Sequence, residues 1–571
     1  MELKKLSIKN FRNFEDIEVS LSNKNVVFGM NDVGKTNFLH ALRFLLDRKI
    51  RNNGFQESDF FHKDVSRVIE ICLEIDIKDK EGDLDSQNII SKLGKSRKSV
   101  NTDSVFIKLS SKFDEEDFVG NPELFWGSDI EDLDKIPQVG TFTELDKLFQ
   151  VVYVDPLIDL DKIFSANRRK IFSKKKDNDN QVLAEIDNLA NQINKKIATM
   201  ESVSDFQDIL SKEYKALKDE DIAIVLRSEM AIKGVFNDIH PYITKNSDTT
   251  HHLYPTSGDG RKKILAYSLL NHITNEFNTN NLISIYLIEE PENSLHRSMQ
   301  ISLSNQLFSQ EVYRYFVMST HSSEMLYEMD KATLIRIHSA DKIYCNSHLY
   351  IVDETFRQLK KELNESLSTA LFADRVLLIE GPSEKVLFEK VLSKVAPSYE
   401  LQGGFILQVD GIKFKPYFKT LSALGIKCIV KTDNDLRETT KQENRVIEAI
   451  GYNRCAGLAV ENFGWQQNTL WPDTRVSTKN KEILKSEISK HNNVTILRDF
   501  NIYLSKIDLE NDLHEAVGSF MDTWKDNAVA YLQQKKLLRM IRFCDNLNDE
   551  NCRLIYDHRN FECLKKLTGE L

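Results

Sequence analysis

Residues 29–36 read Gly29-Met30-Asn31-Asp32-Val33-Gly34-Lys35-Thr36, between the apolar run Val26-Val27-Phe28 and Asn37-Phe38-Leu39. They fit GxxxxGK[ST], a pattern whose glycines let backbone N–H groups curl around phosphate oxygens. Lys35 is placed to neutralise the β- and γ-phosphates of a nucleotide, and the Thr36 hydroxyl to reach Mg²⁺. Residues 3–8 (LKKLSI) and 17–28 (IEVSLSNKNVVF) read as strands, because apolar residues alternate and then run unbroken into the glycine. Residues 36–47 read as a helix with Phe38, Leu39, Leu42, Leu45 and Leu46 on one side. Its positive end faces the anion. An α/β nucleotide domain follows, with Gly29, Asn31, Gly34, Lys35, Thr36 and Asn37 as its expected ATP-binding residues.

Further along, Ile285-Tyr286-Leu287-Ile288-Glu289-Glu290 places two carboxylates at the end of an apolar strand, where open α/β sheets take ligands. Glu289 is expected to hold Mg²⁺ through water and Glu290 to polarise the attacking water. Glu289 stands where aspartate is usual and is one methylene longer, so nucleotide binding is expected more than fast turnover. Residues 282–288 and 315–318 read as buried parallel strands, short and not alternating. His321, in Ser319-Thr320-His321-Ser322 just beyond the second of them, is placed to sense the γ-phosphate. In residues 255–263 (PTSGDGRKK), Ser257 and Gly258 open a helix and can donate to a phosphate.

A second strand–helix series begins at residues 375–380 (RVLLIE) and continues with 405–409 (FILQV) and 427–430 (KCIV). The first strand ends in Glu380, and Glu384 lies one helical turn later on the same side. The third leads to Asp433-Asn434-Asp435, where alternate positions of an extended segment point one way. Asp508-Leu509-Glu510-Asn511-Asp512 repeats that spacing. Carboxylates gathered at a sheet's edge suit Mg²⁺ or Mn²⁺, and two such ions about 3.5–4 Å apart suit phosphodiester cleavage. Lys536, from the residues alone, is an ordinary surface lysine of a helix.

The 571 residues exceed what one core supports, so at least two domains are expected. No apolar run approaches the ~20 residues that span a bilayer. Seven scattered cysteines without a CxxC pair suit reduced thiols and a cytoplasmic setting. The net charge of −10 does not favour nucleic acid overall, which leaves any DNA contact to local basic runs. Residues 92–98 (KLGKSRK) and 168–176 (RRKIFSKKK) are two such runs, and solvated loops are the equal alternative. Leu183, Ile186, Ala190, Ile193, Ile197 and Met200, then Phe206, Ile209, Leu210, Tyr214 and Leu217, mark a helical hairpin over residues 182–217. Packed core helices and a self-association element both fit that periodicity. Residues 331–370 read as a connector ending in a polar helix.

The opening LSIKNFRNF, the phosphate loop, residues 256–261, IEEPE and STHS together resemble the ABC ATPases of DNA maintenance, the SMC/RecF kind. That resemblance implies a head-to-tail ATP sandwich, hence at least a dimer. Asp259-Gly260 departs from the usual Gly-Gln, and Val154-Asp155-Pro156 is the nearest equivalent of a Q-loop, without its glutamine. IEGPSE followed by TDND resembles the Toprim fold. The order ABC then Toprim resembles the OLD (overcoming lysogenization defect) family of nucleases, and seven ordered motifs carry the likeness nearly end to end. The fold class is thus expected to be α/β, an N-terminal ABC-type ATPase with a helical dimerisation insertion and a C-terminal Toprim domain. Residues 1–157 and 246–345 form the two parts of the ATPase, 158–245 the insertion, and 346–571 the Toprim domain with its linker.

The resemblance further implies a divalent-metal nuclease acting on double-stranded DNA in antiphage defence. Glu380, Glu384, Asp433, Asp435, Asp508 and Glu510 match the family's metal positions. Glu380, Asp433, Asp508 and Lys536 match its catalytic ones. It implies a dimer of dimers, a UvrD-like helicase partner, no membrane association, and nucleotide control of cutting. The competing reading is a DNA-repair ATPase whose second domain binds without catalysis. A topoisomerase lacks room for its DNA-gating domain, and a primase lacks a zinc-ligand set.

Overall fold

The computed structural model describes residues 1–77, 82–97, 103–139, 142–157, 160, 163–165, 179–217, 242–243, 254–255, 258–277, 282–329, 331–340, 346–352, 366–409, 413–441, 444–466, 470–477 and 479–571. The chain divides into two compact units. One comprises Met1–Asp146, Leu287–Glu290 and Phe316–Leu571, and the other Lys147–Tyr286 and Pro291–Tyr315.

Three of the first unit's sheets position the sites. An antiparallel one starts with Glu2–Phe11, flanked by Phe14–Ser20 and Ile69–Asp76, and extends through Ser104–Asp114 and Val119–Gly127 to Asp134–Lys135. The expected single strand over 17–28 is in fact two strands of two different sheets. Phe14–Ser20 ends the first, and Lys24–Phe28 begins the phosphate-loop sheet. The break is a side-chain turn: Asn25 Oδ1 accepts from the Ser22 N–H at 2.8 Å, and Asn25 Nδ2 donates to the Ser22 carbonyl. Such bonds compete with a strand ladder.

In the second sheet, Lys24–Phe28 lies parallel between Tyr315–Thr320 and Thr333–His338. All six residues of Tyr315–Thr320 are buried, as befits a central parallel strand. The connector expected over 331–370 contains two strands of this sheet, Thr333–His338 and the antiparallel His348–Ile351. Its expected polar helix lies mostly outside the described residues. The third sheet is wholly parallel, in the order Gly404–Gln408, Arg375–Ile379, Lys427–Thr432, Ile502–Leu504. Leu377, Ile379, Ile429 and Tyr503 pack there against helices that include Pro382–Val395 and Leu509–Trp524.

One side chain ties the second sheet to the third. Arg336 pairs in register with Phe28 of the phosphate-loop strand, and it is almost fully buried. Its Nε donates to the Leu371 carbonyl at 3.1 Å, Nη1 to Leu424 at 2.9 Å and Nη2 to Ala373 at 2.8 Å. Burial pulls its pKa down, opposed by Asp374 and Tyr350. Asp374 also stands 3.2 Å from His338 Nδ1.

The second unit contains the helical hairpin, Asp179–Ala198 and Glu201–Leu217. Ala190 is buried, but Val182, Leu189, Ile193, Met200, Phe206 and Ile209 are exposed. The basic run 168–176 lies outside the described residues, as does Ser257. Gly258 is exposed just before the helix Asp259–Phe277. The six described cysteines are free, and no described helix is long and apolar enough to cross a membrane.

Candidate functional site

The phosphate loop is braced from behind. Gly34 has φ 102°, and a Cβ there would meet the Asn13 side chain; at Gly29 it would stand 2.3 Å from the Ile337 carbonyl. Asn13, from the opening hairpin, donates to the Val33 carbonyl at 3.0 Å and to Ser347 Oγ at 2.7 Å, and accepts from Asn37 at 2.8 Å. Arg12 adds a bond to Asn37 Oδ1 at 2.8 Å and an ion pair to Asp59 at 2.9 Å. Neither Arg12 nor Asn13 is evident from the loop motif, because their contacts are tertiary. Their signal is the NFRNF segment itself.

The loop borders a cavity of about 540 Å³ lined by Asn31, Gly34, Lys35, Thr36, Glu290 and His321, among others. Lys35 folds onto the Gly29 and Met30 carbonyls at 3.0 and 2.8 Å. The Thr36 hydroxyl donates to Glu289, and His321 Nδ1 stands 3.5 Å from Glu290. Apart from Ser257, which is not described, and Gly258 of the other unit, the sequence-predicted nucleotide residues therefore converge. Asp32 also lines the cavity and was not anticipated.

The acidic residues of the third sheet converge at its carboxyl edge. Glu380 Oε1 accepts from Thr432 Oγ1, from the Asp433 N–H at 3.1 Å and from Arg454. Three donors saturate that oxygen and fix the direction of the other. Arg454, on the helix Ile450–Phe463, is nearly buried and stands 3.7 Å from Asp435. Sequence reading missed it, and the available signal was a lone cation among apolar neighbours.

Asp433 and Glu384 are both buried. Burial, then Glu380 and Glu384, push Asp433 well above the usual carboxylate range. Burial also raises Glu384 from 4.5 to about 7, with Glu380 and Glu510 adding to it. Glu510 is fully buried, and neither of its carboxylate oxygens has a hydrogen-bond partner. Lys536 Nζ lies 3.8 Å from Asp433 and 4.0 Å from Glu510. Burial works against its charge, but Glu510, Asp433, Asp508 and Glu384 outweigh it and hold the pKa above the ordinary lysine value. Lys536 thus sits in the acidic cluster, although its own helix gave no hint of it.

The repeated spacing at 508–512 has a different meaning from the extended one expected. Asp508 is the N-cap of the helix Leu509–Trp524, accepting from the Asn511 N–H at 2.9 Å and from Gln533 at 2.8 Å. Asp512 turns away and forms a buried pair with Lys431 at 2.6 Å. A helix does not bring positions two apart to one side.

Among the described residues, no three acidic, histidine or cysteine side chains already stand in cation-holding geometry. Arg454 and Lys536 supply the counter-charge instead. The residues nonetheless fit a hard divalent ion. The donors are all carboxylate oxygens, and Glu510, buried without a hydrogen bond and offset only by Lys536 at 4.0 Å, is a carboxylate that a further cation would stabilise.

The raised Glu384 pKa gives a signed expectation. The folded, metal-free chain keeps a proton that the unfolded chain releases, so stability falls as pH rises from 4.5 to about 7. The contribution is about 3 kcal/mol. Glu384→Gln is expected to be more stable than wild type at about pH 8 and equal to it near the unfolded-state pKa, read from denaturant midpoints in chelator. A difference independent of pH would refute this assignment.

Comparison with known proteins agrees with this architecture. The AAA ATPase domain family matches residues 1–151 and 154–326, and the overcoming lysogenization defect protein-like TOPRIM domain matches 371–435. Endonuclease GajA of Bacillus cereus (strain VD045) is 48% identical over 578 residues, covering 100% of this chain and 99% of that one. Endonuclease GajA of Bacillus cereus (strain HuB5-5) is 21% identical over 322 residues, 48% of this chain and 44% of that one. The DNA replication and repair protein RecF of Chlamydia abortus is 48% identical over 63 residues, 11% of this chain and 17% of its own. An ATPase domain with a braced phosphate loop, a Toprim sheet edged with carboxylates and end-to-end identity thus agree: the chain belongs to the GajA endonuclease family.

Proposed function

We propose that this chain is a nucleotide-regulated, divalent-metal-dependent DNA endonuclease of bacterial antiphage defence. The observation that carries the reading is Glu510, fully buried with neither oxygen hydrogen-bonded, sharing the Lys536 ammonium with Asp433. Glu380, Glu384, Asp433, Asp435, Asp508 and Glu510 would hold the ions, Mg²⁺ or Mn²⁺. Bound there, such ions supply Lewis-acid stabilisation to the attacking and leaving oxygens of a phosphodiester. Arg454 and Thr432 orient Glu380 by occupying one of its oxygens. Asp508, tied to Asn511 and Gln533, keeps its carboxylate in place. Lys536, half exposed beside Asp433 and Glu510, would stabilise developing charge on the phosphate or protonate the leaving oxygen. Incubating supercoiled plasmid with the protein and Mg²⁺ or Mn²⁺ tests the reading. Intact plasmid under every metal condition would leave only the DNA-repair ATPase.

ATP in the phosphate-loop cavity restrains cutting, and its loss releases the nuclease. Support comes from the full phosphate-binding set beside an imperfect hydrolytic one, Glu289 in place of aspartate. Cutting is therefore expected to fall as ATP is titrated in, and Lys35→Ala to escape that restraint. Cleavage that rises with ATP would sink the idea.

The domains follow the expected segments, 1–157, 158–245, 246–345 and 346–571. The hairpin within 158–245 joins two copies, because Ile193, Met200, Phe206 and Ile209 of its anticipated apolar face are exposed in the single chain. Ser257 and Gly258 of one copy complete the ATP site of another, dimers pair into a tetramer, and a UvrD-like helicase, GajB, is the partner. Sedimentation of the protein alone and with that helicase reads both assemblies.

A further inference from the structure

The turn that carries Asp508 to the carboxylates also carries Ser505 and Lys506 to a second cavity. Its volume is about 260 Å³, and its lining includes Ser505, Lys506, Arg498, His558, Arg559 and Glu515. The Ser505 N–H donates to the Thr432 carbonyl at 2.9 Å, so this cavity is built on the same carboxyl edge of the Toprim sheet. Nothing in the carboxylate chemistry uses it. We propose that it binds a phosphodiester group of duplex DNA other than the one being cut. The inference rests on the nuclease reading above.

Three observations carry it. The first is an unused donor. Ser505 is 2% exposed, and its Oγ has no hydrogen-bond partner. A buried hydroxyl left so is unfavourable unless a ligand completes it. The second is charge. Arg498 is held in place by the Arg559 carbonyl at 3.0 Å and Glu562 at 3.2 Å. Lys506 is paired with Glu515 at 2.6 Å, and Asn560 donates to the same carboxylate at 2.9 Å. Arg559 is exposed, and no ion pair engages its guanidinium among the described residues. Three cations thus meet two engaged carboxylates, which leaves a net positive site with one planar donor fork to spare.

The third is the histidine. His558 Nδ1 accepts from the Asn560 N–H at 3.3 Å. A neutral ring accepting at Nδ1 carries its proton on Nε2 and is a donor there. Burial lowers its pKa, against Glu515 and Asp512, so the ring stays in that donor form. Hydroxyl, imidazole and guanidinium donors around one cavity match the oxygens of a phosphate. A free phosphate shares that chemistry. The DNA backbone is favoured because a single turn serves both this cavity and the cutting centre.

The test is duplex binding by the full chain in chelator, which withholds the cutting ions, as a function of salt. Arg559→Gln is expected to reduce the log–log salt slope by about 0.9, the value for one phosphate contact, and to weaken binding several-fold. Arg559→Lys restores most of the slope. Ser505→Ala weakens binding with the slope unchanged, while the loss of an unsatisfied buried hydroxyl raises the melting temperature of the DNA-free protein, so weaker binding cannot be blamed on a destabilised fold. If wild type neither binds duplex DNA in chelator nor cuts it with Mg²⁺ or Mn²⁺, the nuclease reading falls together with this one; if it cuts with metal but does not bind in chelator, this inference alone is overturned. If wild type binds and both Arg559→Gln and Ser505→Ala match it in affinity and slope, this inference alone is overturned. If inorganic phosphate stabilises wild type but not Arg559→Gln while DNA binding is equal, the cavity takes a free anion and the DNA assignment is overturned.

Discussion

Glu380→Ala is expected to lower the rate of plasmid cleavage by a factor on the order of 10²–10³ or more, measured at saturating Mn²⁺ with enzyme in excess. The loss follows from how Glu380 is held. Thr432, the Asp433 N–H and Arg454 all donate to one oxygen, so the carboxylate is locked and its remaining oxygen has a fixed direction. Alanine removes a charged ligand and leaves the nearly buried Arg454 without its carboxylate. Glu380→Gln separates these effects. Its amide oxygen can still accept from Thr432 and Arg454, but it brings no charge to a cation. The glutamine variant is therefore expected to fold like wild type and to cut as poorly as alanine. Cleavage by Glu380→Ala within about threefold of wild type would remove the carboxylate cluster from the chemistry.

Arg336→Ala carries the largest expected cost to stability, about 3–5 kcal/mol. The variant leaves the Leu371, Leu424 and Ala373 carbonyls without the donor that now bonds each of them. Arg336→Lys keeps the charge but offers a single ammonium where a planar fork reaches three carbonyls, so it should recover less than half of the loss. Midpoints of urea unfolding, followed by a probe in each sheet, measure this. A midpoint close to wild type would mean that water replaces the guanidinium without penalty. Arg336 and Phe28 are partners in one ladder, so the same variant is also expected to weaken the effect of ATP on cutting.

The two sites differ in how legible they were, and the reason is the range of the interactions. Lys35 and Thr36 belong to a local device in which eight consecutive residues define the loop. Their reading needed no knowledge of the rest of the chain. Glu380 and Asp433 were legible because each ends an apolar strand. Arg454 and Asn13 were not, because each acts on a residue more than twenty positions away in sequence. At Asp512 the pattern misled. The alternate spacing expected to serve as an extended pair lies on a helix at 508–510, with Asp508 its N-cap, and Asp512 goes to Lys431. The strand over 17–28 was split by one asparagine, Asn25, whose side chain outcompeted the ladder. Lys536 had no local signature, and only family likeness pointed to it.

Arg336 also bears on engineering. Its backbone belongs to the ATPase sheet, while the carbonyls it serves precede and thread the nuclease sheet. A chimera that grafts the nuclease half of one relative onto the ATPase half of another cuts through this joint unless the strand Thr333–His338 travels with the graft. Exchange of whole halves should thus succeed only at seams placed before that strand, which makes the two activities inherited together rather than freely recombined.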